Sequence, residues 1–147
     1  MKLKFQKLYI TIANTVATMS TARRLQVGAI VVKDDRVISM GYNGMPSGWD
    51  NNCEDTVQHS DDTVTLKTKS EVLHAETNAI AKLARSNESG LASDMFITHS
   101  PCLDCAKLIY QSGIKRVWFS NHYRDNSGIE FLKKSGVEVE QVVADLG

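Results

Sequence analysis

The chain carries the stretch His74-Ala75-Glu76-Thr77-Asn78-Ala79-Ile80 and, further along, Pro101-Cys102-Leu103-Asp104-Cys105. Each stretch opens a predicted helix. Cysteines three positions apart share a face of the first helical turn, so both can reach one metal ion. His74 and Glu76 are two positions apart and point in different directions, so they need not do the same job. The pattern predicts that one of them binds a metal while the other stands beside it as a base.

The sequence around these stretches alternates between strand and helix patterns. A helix is predicted over residues 3–19, followed by a hairpin of two β-branched, apolar strands at 27–32 and 37–42. Helices at 74–85, 102–111 and 128–134 then alternate with strands at 95–98, 114–120 and 137–143. This order predicts one domain over residues 1–147, of α/β class. Its architecture is a three-layer α/β/α sandwich with a mixed five-stranded sheet, its last two strands parallel.

Two segments lack a regular pattern. Residues 41–48 are rich in glycine and are predicted to form a loop after the hairpin. Residues 49–70 show no clean period and carry several acidic side chains. A long irregular segment inside a compact domain is usually a functional flap or a disordered insert, and we expect one of the two here.

Composition narrows the possible partners. The 147 residues include 17 basic and 17 acidic side chains, whereas proteins that follow a nucleic-acid backbone usually show a basic excess. This balance favours a small anionic ligand and no nucleic-acid partner. No apolar stretch approaches the roughly 20 residues that span a bilayer. Residues 1–19 indicate an amphipathic helix rather than a signal peptide, so we expect a cytoplasmic protein with no membrane partner.

The metal pattern is that of a catalytic zinc site, which uses three protein ligands and leaves a fourth position for water. We expect one Zn²⁺ per chain, held by His74, Cys102 and Cys105. Glu76 is then the catalytic base that moves protons between the activated water and the substrate. His-x-Glu followed by Pro-Cys-x-x-Cys is the zinc-deaminase signature. A closed structural zinc site remains the alternative, with Cys53 or His59 as its fourth ligand.

On four motifs the chain resembles the deoxycytidylate (dCMP) deaminases of the cytidine-deaminase superfamily, in viral and cellular forms. The motifs are Gln26-Val27-Gly28-Ala29-Ile30, Gly41-Tyr42-Asn43-Gly44-Met45-Pro46, the stretch from His74, and Ser100-Pro101-Cys102-Leu103-Asp104-Cys105-Ala106-Lys107. The resemblance implies a cytidine-deaminase-like fold and hydrolysis of dCMP to dUMP and ammonia, feeding thymidylate precursor synthesis. It implies that Asn43 reaches the substrate sugar, that Tyr123 packs near the base or sugar, and that Ala75 belongs to the substrate site.

The same resemblance implies regulation and assembly. Relatives of this kind are hexamers, activated by dCTP and inhibited by dTTP with Mg²⁺, at a site that includes Tyr42, Asn43 and Gly44. We expect Arg24 to contact the triphosphate, because arginine forks suit phosphate oxygens. An ordinary turn after the hairpin is the alternative explanation of the glycines. A second zinc is not expected, and Cys53 is interpreted as an apolar filler.

Three other functions compete with dCMP deamination. A polynucleotide editor, such as a tRNA adenosine or DNA cytosine deaminase, shares the zinc chemistry but needs a basic channel for an unpaired base. A free cytidine deaminase has no phosphate site. A non-catalytic zinc-stabilised binding module has no use for Glu76. The balanced charge disfavours the first, and the other two are left to experiment.

Overall fold

The computed structural model describes residues 1–123 and 125–143. Residues 124 and 144–147 of the predicted domain lie outside the described part. Four helices and seven strands are present in this part: α1 (Leu3–Ala17), β1 (Gly28–Lys33), β2 (Arg36–Tyr42), β3 (Glu54–Gln58), β4 (Val64–Thr68), α2 (Ala75–Ala84), β5 (Asp94–His99), α3 (Leu103–Gln111), β6 (Arg116–Asn121), α4 (Ser127–Lys134) and β7 (Glu138–Gln141).

The main sheet has five strands in the order β2-β1-β5-β6-β7. Strand β1 pairs antiparallel with both β2 and β5, whereas β5 with β6 and β6 with β7 are parallel pairs. Each parallel pair is joined through a helix, as crossover connections require. The predicted mixed sheet and its parallel last pair are confirmed.

Helices cover both faces of the sheet. The side chains of Ala29 and Val31 pack with α2 and α3 on one face, while Ile30 and Val32 pack with α1 on the other. Because β1 is buried on both faces, its sequence is continuously apolar rather than alternating. The three-layer α/β/α sandwich is confirmed.

The expectation of an irregular segment over residues 49–70 is wrong for most of its length. Strands β3 and β4 form a separate antiparallel hairpin, paired from Glu54 with Thr68 to Gln58 with Val64. Asp61 stabilises the turn by accepting hydrogen bonds from the backbone N–H and hydroxyl of Thr63. Most hairpin side chains are exposed, so neither strand shows the apolar alternation that marks a half-buried strand.

The strand predicted at 37–42 agrees with β2, so the first two residues of the predicted glycine-rich loop belong to the sheet. Gly41 and Tyr42 are the last two residues of β2, and Gly41 is buried. Only residues 43–48 leave the sheet.

In the described part of the chain, no helix is long and apolar enough to cross a membrane.

Candidate active site and metal centre

Three side chains suited to metal binding meet where the N-termini of α2 and α3 approach each other. His74 immediately precedes α2, Cys102 immediately precedes α3, and Cys105 lies in the first turn of α3. Nδ1 of His74 is 3.2 Å from Sγ of Cys105 and 3.7 Å from Sγ of Cys102. The three donor atoms lie within 4.8 Å of one another. The structure therefore brings the three predicted ligands together.

The spacing of these donors fits zinc. Tetrahedral zinc with Zn–S of about 2.3 Å and Zn–N of about 2.0–2.1 Å requires a nitrogen-to-sulfur separation of about 3.6 Å. The two observed separations, 3.2 and 3.7 Å, bracket that value. One imidazole and two thiolates are also the donor set of known catalytic zinc sites, which keep a fourth position open.

The sulfur atoms of the two cysteines are hydrogen-bonded to each other. The pKa of Cys102 is lowered to about 4 by hydrogen bonds from Cys105 and His74. The pKa of Cys105 is raised by its hydrogen bond to Cys102 and by burial. A bound zinc ion would hold both sulfurs as thiolates.

Glu76 lies in the first turn of α2, two residues after His74, and only 5% of its surface is exposed. Burial raises the pKa of its carboxyl above the usual range, and a hydrogen bond from its own backbone partly opposes the shift. A carboxyl with a raised pKa can accept a proton and return it during one reaction cycle. Glu76 thus lies beside the donor cluster, while its role as a proton shuttle stays a prediction.

A cavity of about 630 Å³ opens over this cluster. Its size lies within the range of small-molecule sites. All three predicted substrate residues line it: Asn43 from the loop after β2, Ala75 at the start of α2, and Tyr123 after β6. The backbone N–H of Ala75, in the first turn, has no acceptor within its own helix. The structure places these residues together, while their contacts to substrate stay predictions.

Hydrogen bonds fix two of these residues. Asn43 accepts a bond from the backbone N–H of Val27 at 2.9 Å and donates from Nδ2 to the carbonyl of Leu25 at 2.8 Å. The backbone N–H of Tyr123 donates to Oγ of Ser100 at 2.7 Å. Because Ser100 lies two residues before Cys102, Tyr123 is held close to the metal centre.

His99, at the end of β5, is a cavity residue that the motifs did not single out. The buried hydroxyl of Thr98 accepts from the backbone N–H of Gly28 and lies 2.9 Å from Nδ1 of His99. Burial lowers the pKa of His99, which favours its neutral form.

The effector residues predicted from sequence do not share one cavity. Arg24 lines the cavity over the metal cluster. Tyr42 and Gly44 line a second cavity of about 650 Å³, together with Lys82 and Arg85. Asn43 lines both cavities. Arg24 is not among the described residues that line the second cavity, so its expected triphosphate contact there has no geometric support.

Cys53 and His59 do not join a metal cluster in the described ranges 1–123 and 125–143. The Cys53 side chain is buried, and its sulfur lies 3.6 Å from the hydroxyl of Thr21. His59 lies in the hairpin turn beside Thr65. The expectation of an open three-ligand site is therefore supported over a closed four-ligand site.

Comparison with known proteins agrees with this geometry. Residues 3–121 match the model of the cytidine and deoxycytidylate deaminase zinc-binding region. The chain is 32% identical to deoxycytidylate deaminase of Enterobacteria phage T4, over 90% of this chain and 87% of the phage protein. It is 36% identical to human deoxycytidylate deaminase, over 84% of this chain and 69% of the human protein. The crystal structure of cyanophage S-TIM5 dCMP deaminase in complex with dCMP and dUMP superposes with a TM-score of 0.86 and 43% identity, covering 97% of this chain and 99% of that one.

Proposed function

This chain belongs to the cytidine and deoxycytidylate deaminase family, and within that family we propose that it hydrolyses dCMP to dUMP and ammonia. The family makes it a zinc-binding deaminase. One observation carries the choice of substrate. The cavity that is lined by His74, Cys102 and Glu76 is also lined by Arg24, the one permanent cation among its described lining residues. A nucleoside does not need that charge, whereas a nucleoside monophosphate does.

The residues divide the chemistry between them. His74, Cys102 and Cys105 hold the metal, which when bound supplies Lewis acidity that makes a water molecule nucleophilic near neutral pH. Glu76 takes the proton from the water and delivers it to the pyrimidine ring nitrogen. The water oxygen bonds to the ring carbon that bears the amino group. A second proton then passes through the same carboxylate to the amino group, and the C–N bond breaks to release ammonia. The backbone N–H of Ala75 offers a hydrogen bond to the oxygen of the base, and Asn43 and Tyr123 border the sugar.

Arg24 is assigned to the substrate phosphate rather than to an effector. Its guanidinium offers several N–H donors in a fork that matches phosphate oxygens. Arg24 lines the metal cavity, whereas the cations that line the second cavity are Lys82 and Arg85. In this proposal the enzyme acts in the cytoplasm. The dUMP that it forms is a precursor of thymidylate.

The experiment is a side-by-side measurement of ammonia release from dCMP, deoxycytidine and cytidine. We expect dCMP to have the highest kcat/KM, and Arg24→Ala to remove most of its advantage over deoxycytidine. Binding of single-stranded oligonucleotides at low salt is the parallel test for a polynucleotide editor. Deamination of deoxycytidine as efficient as that of dCMP contradicts the proposal and indicates a free nucleoside deaminase.

A regulatory function is favoured by the second cavity. We propose that it binds dCTP, which activates, and dTTP with Mg²⁺, which inhibits. Tyr42, Gly44, Lys82 and Arg85 line it, so a backbone loop and two cations face the space that a triphosphate would fill. Asn43 borders both cavities and is the direct physical link between them. Such control requires that the assembly has two states. We propose by resemblance that the assembly is a hexamer. Sedimentation measurements test this oligomeric state.

A further inference from the structure

The base of the β3–β4 hairpin binds the segment that carries Arg24. One carboxylate oxygen of Glu54, Oε2, accepts hydrogen bonds from the backbone N–H groups of Arg23 at 2.8 Å and Arg24 at 3.0 Å. Nη1 of Arg24 donates to the hydroxyl of Thr68 at 3.1 Å. Glu54 and Thr68 face each other as the first cross-strand pair of the hairpin. The hairpin thus holds both the backbone and the side chain of this arginine.

Glu54 is an unusual residue for a hairpin that is otherwise exposed. Only 1% of its side chain is accessible, yet it stays ionised. Burial by itself raises the pKa of its carboxyl, but the N–H donors of Arg24 and Arg23 and the charge of Arg23 outweigh burial and hold the pKa below the usual range. Oε1 is buried without a hydrogen-bond partner in the described residues, 3.5 Å from Nε of Arg23. The two backbone N–H groups and the charge of Arg23 therefore offset the desolvation cost of burying this carboxylate.

Both hairpin residues also line the metal cavity, beside Arg24. Arginine has several rotatable bonds, and ordering an exposed arginine when ligand binds costs side-chain entropy. A guanidinium already held by one N–H group retains its other donors for a ligand and loses less freedom on binding. Arg24 is therefore a preorganised cation at the wall of the metal cavity.

We propose that Glu54 and Thr68 are positioning residues that hold Arg24 in the orientation needed for the substrate phosphate. This inference rests on the proposed function, because it assumes a phosphate in the cavity. In this proposal the β3–β4 hairpin, residues 54–68, forms part of the cavity wall and orients the phosphate-binding arginine. Neither residue performs chemistry. Their effect reaches the substrate through Arg24.

The test uses Thr68→Val, because Thr68 is exposed and valine keeps its shape and strand preference. We expect KM for dCMP to rise about 2- to 12-fold, the range for one net hydrogen bond, with little change in kcat. Kinetics with deoxycytidine, which has no phosphate, should not change. Thr68→Ser keeps the hydroxyl and should restore KM. Thr56→Val is the matched control on the same hairpin, outside the cavity lining, and should behave as wild type.

The decisive comparison uses double variants that already carry Arg24→Ala. Adding Thr68→Val or Glu54→Gln to Arg24→Ala should raise KM no further, because both act through the arginine. Thermal unfolding of each single variant identifies any loss of fold, and Thr68→Val alone tests the proposal if Glu54→Gln is unstable. Equal losses with dCMP and deoxycytidine, or an undiminished effect in the Arg24→Ala background, overturn the positioning role. A wild-type enzyme without preference for dCMP refutes the proposed function itself, before any variant is compared.

Discussion

Gly41 of β2 packs directly against the carbonyl of Ala75, the first residue of the helix that carries Glu76. A Cβ placed on Gly41 would overlap that carbonyl oxygen and lie 2.6 Å from the backbone nitrogen of Ala79. Backbone atoms cannot move away as a flexible side chain can. The glycine is therefore required because two backbones approach closely, and not because a loop needs left-handed geometry.

Gly41→Ala is accordingly expected to destabilise the fold and disturb the metal centre. Overpacking of this kind costs about 1–3 kcal/mol, and the displaced helix also carries His74 at its start. Denaturant unfolding followed by zinc analysis measures both effects. Gly44→Ala is the matched control, since a Cβ at Gly44 meets no atom within 4 Å. Equal stability of the two variants would contradict the steric argument.

Sequence patterns predicted the sandwich because its strands are buried and its helices amphipathic. The run Ala29 to Val32 is apolar without interruption and can be satisfied only by burial on both faces. Residues 54–68 escaped prediction because their two strands expose nearly all side chains, and hydrophobic periodicity reports burial rather than hydrogen bonding. The other sequence feature that indicates a hairpin is the turn at Asp61 to Thr63. By itself this turn is too short to identify a hairpin.

The metal ligands and Glu76 could be predicted because their chemistry and local spacing are specific. The position of Arg24 could not, because it depends on long-range contacts to Glu54 and Thr68 in another segment. In the sequence, Arg24 lies just before the β1–β2 hairpin, which predicts a contact between this arginine and the glycine-rich loop that follows β2. The structure instead places Arg24 on the metal cavity. Pairings of this range have no local sequence signature.

The metal centre gives a further prediction. Cys102→Ser and Cys105→Ser should each lose zinc and activity together, because serine does not replace a thiolate ligand at neutral pH. Purified wild-type protein should contain about one zinc per chain, measured by atomic emission. Cys53→Ser is the control and should keep both metal and turnover, since Cys53 stands outside the donor cluster. Two zinc ions per chain, one of them lost in Cys53→Ser, would show a second site.

Glu76→Gln separates metal binding from catalysis. Glutamine keeps the size of the side chain but cannot shuttle protons, so turnover should fall by about 10² or more. Zinc content should stay normal, because Glu76 is not one of the three donors. Substrate affinity measured by calorimetry should be nearly unchanged. A variant with close to wild-type turnover would exclude Glu76 as the proton shuttle.

The buried Glu54 carboxylate predicts how stability depends on pH. Its folded-state pKa is lower than the ordinary 4.5, so the unfolded chain binds a proton first as the pH falls. The stabilisation is complete above pH 4.5 and is lost as the pH drops towards the folded-state pKa. Glu54→Gln should be less stable than wild type at pH 7, by about 2 kcal/mol for charge-assisted hydrogen bonds. The difference should shrink on acidification. A gap that is constant from pH 7 to pH 3 would show that the charge of Glu54 is not what stabilises residues 23–24.

The second cavity gives the last prediction, which concerns regulation. At fixed Mg²⁺, dCTP should raise and dTTP should lower dCMP turnover at subsaturating substrate. Coupling free energies are typically about 1–3 kcal/mol, so apparent affinity for dCMP should differ roughly 5- to 150-fold between the two effectors. Arg85→Ala removes a cation that lines this cavity and should weaken the response to both effectors.

Comparison of two arginine variants separates the cavities. Because Arg24 lines the metal cavity, Arg24→Ala should raise KM for dCMP while direct dTTP binding, measured without substrate, persists. Arg85→Ala should do the reverse, losing dTTP binding with little change in unregulated kinetics. Lys133→Ala, on α4 and outside the described lining of either cavity, is the control for a lost surface charge. Hyperbolic dCMP kinetics that saturating dTTP and dCTP leave unchanged would refute regulation. Loss of dTTP binding in Arg24→Ala but not in Arg85→Ala would instead assign the triphosphate to the metal cavity, where a substrate and an inhibitor would compete directly.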